Sequence, residues 1–309
     1  MSSASLRRRP SSSKKERSLP TKDKPVQSSR SKSSFSISAL SLQWWPACYN
    51  DEKARALDEH WLTDRTVWLR VGVFGLLVLG SVLMYLPSLY EGMSPGDSGE
   101  LMTAALQLGS AHPPGYPTFT VAAHLFAHLP FPDEYSFAWR LSLLSAIWNA
   151  LSCGFLYLAV QRWTGSNVAG VFSGLLFVTS PMAWREANYP EVFSLNNAFT
   201  TGLLALAVYY FQSVQSVRMA RSPDSLAYHL RRTHYLAMLG AFMCGFGLTN
   251  QHTLVVFEAP LVLCVVFSFA DELLPSFLWF LGGRSRSMWP ALRLVLFFVA
   301  GLLPFLYLV

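Results

Sequence analysis

TVWLRVGVFGLLVLGSVLMYLPSLY, Thr66–Tyr90, contains one charged residue, Arg70, in a run long enough to cross a membrane. A helix of about 20 apolar residues spans a hydrocarbon core of roughly 30 Å. Inside lipid every backbone amide must bond within the protein, which leaves helices or closed barrels. Further apolar runs follow along the 309-residue chain, and 52% of its residues are hydrophobic. The expected fold is therefore all-α and polytopic, with the lipid bilayer as its first partner.

Upstream of this run the chain changes character. Residues 1–43 are rich in Ser, Lys, Arg and Pro, and cannot bury enough apolar surface to fold. A cytosolic tail fits, and so do an organelle transit peptide and an arginine retention signal at Arg7-Arg8-Arg9. Residues 1–35 carry ten Lys/Arg against two acids, more than the whole net charge of +6. The basic balance therefore belongs to the tail and gives no reason to expect nucleic acid as a partner. Residues 44–65 mix tryptophan with charges, as an interfacial segment does. The basic tail before the first span predicts a cytoplasmic N-terminus. The cysteines Cys48, Cys153, Cys244 and Cys264 have no zinc-type spacing and read as apolar packing groups.

Downstream lies EGMSPGDSGELMTAALQLGSAHPPGYP, Glu91–Pro117. Tyr116–Leu129 after it is too short to cross, holds two histidines and sits between prolines. If it stays at the surface, the remaining spans are about Ser136–Gln161, Val168–Trp184, Glu191–Phe211, Tyr235–Thr249, Thr253–Ala270 and Leu292–Val309. The loops with Arg162, then Arg218, Arg221, Arg231 and Arg232, then Arg284 and Arg286, all fall on the cytoplasmic side. This count gives about seven transmembrane helices in a domain of residues 66–309, with a luminal loop of residues 91–135. The last apolar run reaches Val309 without polar flanks, which predicts a truncated chain. Trp139, Trp148, Trp163 and Trp184 read as interfacial anchors.

In this topology one face collects Asp97, Glu100, His112, the run Arg185-Glu186-Ala187-Asn188-Tyr189-Pro190-Glu191, and the turn Asn250-Gln251-His252. Ionisable groups gathered at one membrane face mark a site. Each group also has an ordinary reading. Asp97 with Glu100 three residues on is a capping-box pattern; alternatively, an acid held there takes a proton from an attacking hydroxyl. His112 is either a turn residue or a donor to a phosphate or sugar. Arg185 and Glu186 are either a local ion pair or a guanidinium fork for a phosphate. Asn250 and His252 either close a polar turn or bind sugar hydroxyls. A transporter or lipid flippase remains open beside an enzyme, with Glu258-Ala259-Pro260 as its one feature. An inactive scaffold is the third alternative.

GDSGELMTAALQLGSAHPPGYPTF, REANYPEVFSLNN and GLTNQHT, in that order, resemble the transmembrane protein 260 family within the GT-C glycosyltransferases. The resemblance covers roughly residues 66–309, and its His-Pro-Pro element is similar to that of protein O-mannosyltransferases. It implies a GT-C-like core in the endoplasmic reticulum membrane and dolichyl phosphate mannose as donor. It also implies an acceptor protein domain, of the IPT type in plexins and certain receptor kinases. Asp97 matches the family's catalytic acid, with Glu100 sharing the role or orienting the acceptor. From their chemistry on this face, and not from the resemblance, His112, Arg185, Glu186, Asn188, Glu191, Asn250 and His252 are the expected substrate-binding set. The loop has no DxD pair, so neither a metal nor a cofactor is required. Family members continue further beyond their equivalent of Val309.

Overall fold

A computed structural model describes residues 65–268 and 289–309, with side chains described from 67 to 268 and from 291. The expected basic tail, the interfacial segment of residues 44–65 up to residue 64, and the arginines at 284 and 286 lie outside these residues.

The described residues are helical, without strands. Helix α1 is Arg65–Tyr85, extended by a 3-10 turn at Leu86–Ser88. Two short helices follow, α2 (Ser98–Gln107) and α3 (Pro117–Ala127). Then come α4 (Phe137–Thr164), α5 (Asn167–Val178), α6 (Pro181–Ala187) and α7 (Val192–Met219). Helix α8 (Pro223–Leu248) leads through a 3-10 turn at His252–Leu254 into α9 (Val255–Ser268). Helix α10 (Trp289–Gly301) and a 3-10 segment at Leu303–Leu308 end the described chain.

The boundaries follow local chemistry. Ser136, Ser166, Ser180 and Ser222 each accept the amide of the residue three places on, capping α4, α5, α6 and α8. Gly165, at φ 73°, ends α4 where a left-handed residue is needed.

Helices α4 and α7 form the centre, with α1, α5 and α8 packed around them. Chain direction alternates. Helix α4 starts where its Ser142 hydroxyl holds Tyr90 O and runs to the far end. Helices α5 and α6 return, since Tyr90 N donates to Asn188 O at 3.2 Å. Helix α7 runs out again and α8 comes back, with Thr249 beside Thr118. The loops after α1, after α6 and after α8 thus share one end of the bundle. Trp68, Leu69, Leu76, Leu79 and Leu83 of α1 are exposed, as lipid-facing side chains are.

Four helical stretches among the described residues are long and apolar enough to cross a membrane: Val67–Ser88, Phe137–Thr164, Val192–Met219 and Ala291–Leu308. A fifth is formed if α5 and α6, bent by 66°, count as one span. Of the expected seven, four or five are seen among the described residues. Helix α8 is long enough, but Asp224, Arg231 and Arg232 make its first half polar. Helix α9 with its leading turn, His252–Ser268, is too short. Helix α3 has 11 residues, about 16 Å of rise, and packs on α2 and α4 without crossing. Trp148 corrects another expectation: it is 9% exposed and packs on Phe119 in the core, away from an interfacial position.

Candidate active site at the loop end of the bundle

Asp97 is the N-cap residue of α2, yet its side chain makes no cap bond. The capping-box reading predicts that Glu100 reaches back to the Asp97 amide. Instead Glu191, from the loop before α7, accepts that amide through Oε1 at 3.0 Å and the Ser98 hydroxyl at 3.4 Å. A carboxylate 94 residues away thus caps α2, and the Asp97 side chain stays 65% exposed. Glu191 itself is buried, and burial pushes its carboxyl above the ordinary value, with the Asp97 charge adding to the rise.

Gly96 makes this approach possible. Its φ is +83°, and a Cβ there would stand 2.8 Å from Glu191 Oε1.

Glu100 faces the His-Pro-Pro turn. Its Oε1 accepts the His112 amide at 2.5 Å and its Oε2 accepts Nδ1 at 3.1 Å. These two bonds hold the Glu100 carboxyl below its ordinary value. They also fix the ring: Nδ1 carries the donated proton, leaving Nε2 to accept the Tyr116 hydroxyl at 3.0 Å. Asp97 Oδ2 lies 3.9 Å from the same Nε2. Protonation of His112 would therefore place an imidazolium between two carboxylates. Tyr116 went unassigned in the sequence, although it stands inside the quoted His-Pro-Pro-Gly-Tyr-Pro run. Partial burial raises its phenol pKa, and the charges of Asp97, Glu191 and Glu100 add to that shift.

The other expected residues divide by exposure. Arg185 is 58% exposed and gives its Nε and Nη2 donors to Glu186 Oε1, at 3.2 and 2.7 Å. Two of its five N–H donors are used in this way. Glu186 is buried beneath it. Asn188 is buried too, donating to Trp184 O at 2.6 Å and accepting the Ser88 hydroxyl at 2.7 Å. Asn250 is fully buried and donates to Val192 O at 3.1 Å, next to Glu191. His252 is exposed, its ring centroid 5.6 Å from that of Phe305. So Asp97, Glu100, His112, Arg185 and His252 are open to a ligand. Glu186, Glu191, Asn188 and Asn250 are buried, and the hydrogen bonds of Glu191, Asn188 and Asn250 tie the three loops together. No group of three or more His, Cys, Asp or Glu among the described residues could hold a metal ion.

The family model described as "Protein O-mannosyl-transferase TMEM260 N-terminal domain" matches residues 97–274, which begin at Asp97 and take in the loops after α6 and after α8. The chain belongs to the TMEM260 family. Two relatives are a protein O-mannosyl-transferase tmem260 of Dictyostelium discoideum and one of Mus musculus. The first is 34% identical over 238 residues, 75% of this chain and 26% of the relative. The second is 36% identical over 221 residues, 72% of this chain and 28% of the relative. The chain thus spans about a quarter of the length of these TMEM260 relatives. No solved structure matches it.

Proposed function

We propose that this chain carries the reaction face of a protein O-mannosyltransferase that uses dolichyl phosphate mannose. The observation that carries the reading is the Asp97 carboxylate. It is fixed by its own backbone through Glu191, left out of helix capping, and exposed beside His112. A general base needs that combination of position and access.

In the reaction a Ser or Thr hydroxyl oxygen attacks the anomeric carbon of mannose. Its proton passes to Asp97, the new C–O bond forms with inversion, and the bond to the dolichyl phosphate oxygen breaks. Glu100 holds His112 in one tautomer, so that the ring orients the acceptor or the phosphate. The three remaining donors of Arg185 suit the departing phosphate, and His252 suits sugar hydroxyls. Glu186, Glu191, Asn188 and Asn250 position these groups from beneath.

The setting is a GT-C-like core in the endoplasmic reticulum membrane, with the loop end luminal and the N-terminus cytoplasmic. The acceptor is a domain of the IPT type, on the family's resemblance. Membranes expressing the chain, alone and joined to the remaining length of the mouse relative, test the reading. Transfer from dolichyl phosphate mannose to an IPT domain is expected, with Asp97→Asn slowing it roughly 10²–10⁴-fold. Transfer unchanged by Asp97→Asn would move the base elsewhere. Use of a nucleotide sugar in place of the lipid donor would overturn the donor.

A further inference from the structure

Tyr116 begins α3 in a conformation that tyrosine rarely adopts. Its φ is 46° and its ψ 49°, in the left-handed region. An N-cap residue is ordinarily extended, as Ser136, Ser166 and Ser222 are. Left-handed backbone favours glycine, asparagine or aspartate instead. The neighbours hold Tyr116 there. Gly115, at φ 93°, gives its amide to His112 O at 2.8 Å. Pro117 follows, and Tyr116 O accepts the amide and the hydroxyl of Thr120, at 3.0 and 3.1 Å. A residue kept in a sparsely populated conformation directs attention to its side chain. Here the phenol hydroxyl reaches His112 Nε2 at 3.0 Å, with the two rings edge to face.

Both ring nitrogens of His112 are therefore engaged. Glu100 accepts from Nδ1, and Tyr116 donates to Nε2. Asp97 Oδ2 stands 3.9 Å from that same Nε2. Among the described residues, the charged groups facing the ring are thus the two carboxylates at the start of α2. Glu191, from the loop before α7, adds its charge on the Tyr116 side. From the closing 3-10 segment, Leu308 lies against Gly115 and Tyr307 gives its hydroxyl to Gly109 O at 3.1 Å, so neither brings a charge. Two carboxylates beside an imidazole favour its protonation, whereas a hydroxyl donating to its lone pair opposes it. An imidazolium at this position would pair with Asp97 and occupy the oxygen that a base needs.

We propose that Tyr116 is a positioning residue that keeps His112 neutral and so leaves Asp97 free to take the acceptor proton. The last step rests on Asp97 being the base proposed above; the contact between Tyr116 and His112 does not. The test follows mannose transfer between about pH 5 and 8, with the chain alone and joined to the remaining length of the mouse relative. Tyr116→Phe keeps the aromatic ring and removes the hydroxyl. Its transfer should stay within about twofold of wild type at the upper end and fall about tenfold at the lower end, in kcat more than in KM. In a His112→Gln background, where residue 112 takes no proton, the same change should leave the pH dependence unmoved.

The ring titration of His112 is a readout independent of transfer. NMR on carbon-13-labelled histidine follows it, assigned by the resonance lost in His112→Gln. The titration should move up by about one pH unit in Tyr116→Phe. It should move down when a ring-fluorinated tyrosine, a stronger donor, replaces Tyr116. The fluorinated side chain preserves shape, and it keeps the test decisive if Tyr116→Phe does not fold. A titration unmoved by both changes, or transfer lost equally at every pH with the titration unmoved, would overturn the proposal. A titration that moves while the rate profile stays in place would uphold the Tyr116 contact and remove Asp97 as the base.

Discussion

Glu191 is buried and holds the backbone at Asp97. Its Oε1 receives the Asp97 amide and sits where any side chain at residue 96 would collide. Glu191→Gln keeps an acceptor there and is expected to retain most transfer activity. Glu191→Ala leaves the amide unpaired and frees the loop, and should cost transfer roughly 10²-fold, since a small displacement of a catalytic group has that effect. The same carboxyl makes a pH signature. Its folded pKa is raised above the ordinary value of 4.5. The folded state therefore holds the proton more tightly than the unfolded state does. That contribution is fully present below 4.5 and is lost as pH rises through the raised value. Glu100, with its pKa lowered, acts in the opposite sense: its contribution is present above 4.5 and is lost as pH falls through the lowered value. Subtracting unfolding midpoints of Glu191→Gln from wild type across pH isolates the first effect. The wild-type advantage should shrink as pH rises above 4.5; a difference independent of pH would contradict the buried carboxyl. None of this was legible at Asp97 itself. Its three-residue spacing from Glu100 fits a capping box and a catalytic acid equally well. A contact made 94 residues away shows which carboxylate caps the helix.

At the scale of elements, the crossing of α8 and α10 depends on small residues. A Cβ on Gly245 would run into Phe298 O, and one on Gly301 into Phe242 O, so each glycine lies against the other helix's backbone. Close backbone approach through small residues is a principal way that helices associate in lipid, where hydrophobicity offers no drive between them. Gly245→Val should push the pair apart, lowering the unfolding midpoint in detergent and the yield of monodisperse protein. Gly240→Val is the control: a Cβ there meets only the end of Leu206, at 3.6 Å, and should be tolerated. Long apolar elements such as α1, α4 and α7 were legible in sequence because lipid demands length and apolarity together. The short α3 was legible by its failure to meet that demand. Trp148 lies near the middle of α4, away from either helix end, and the sequence does not show the neighbour it packs on: Phe119, brought in by α3. The first half of α8 is polar and α9 is described only as far as Ser268, so neither adds to the apolar spans among the described residues.

For the whole molecule, sidedness turns on the bent α5–α6 pair. If it were a re-entrant hairpin, two spans would separate residue 93 from residue 221, and both would face the same side. The hydrogen bonds argue otherwise. Helix α4 leaves the loop end, and Asn188, after α6, is back beside Tyr90 and Ser88. The pair therefore covers the return distance despite its 66° bend, and three crossings put residues 93 and 221 on opposite sides. Met93 is 80% exposed and Arg221 is exposed, so each can be replaced by cysteine without disturbing the core. With a cytoplasmic N-terminus, Arg221→Cys should react with a membrane-impermeant maleimide in sealed microsomes. Met93→Cys should react only after permeabilisation, relative to a parent carrying alanine in place of Cys48 and Cys264. The reverse pattern would invert the protein and place Asp97 on the cytosolic side, away from any luminal acceptor. Labelling of both from outside would make the pair re-entrant and reduce the crossings between them to two.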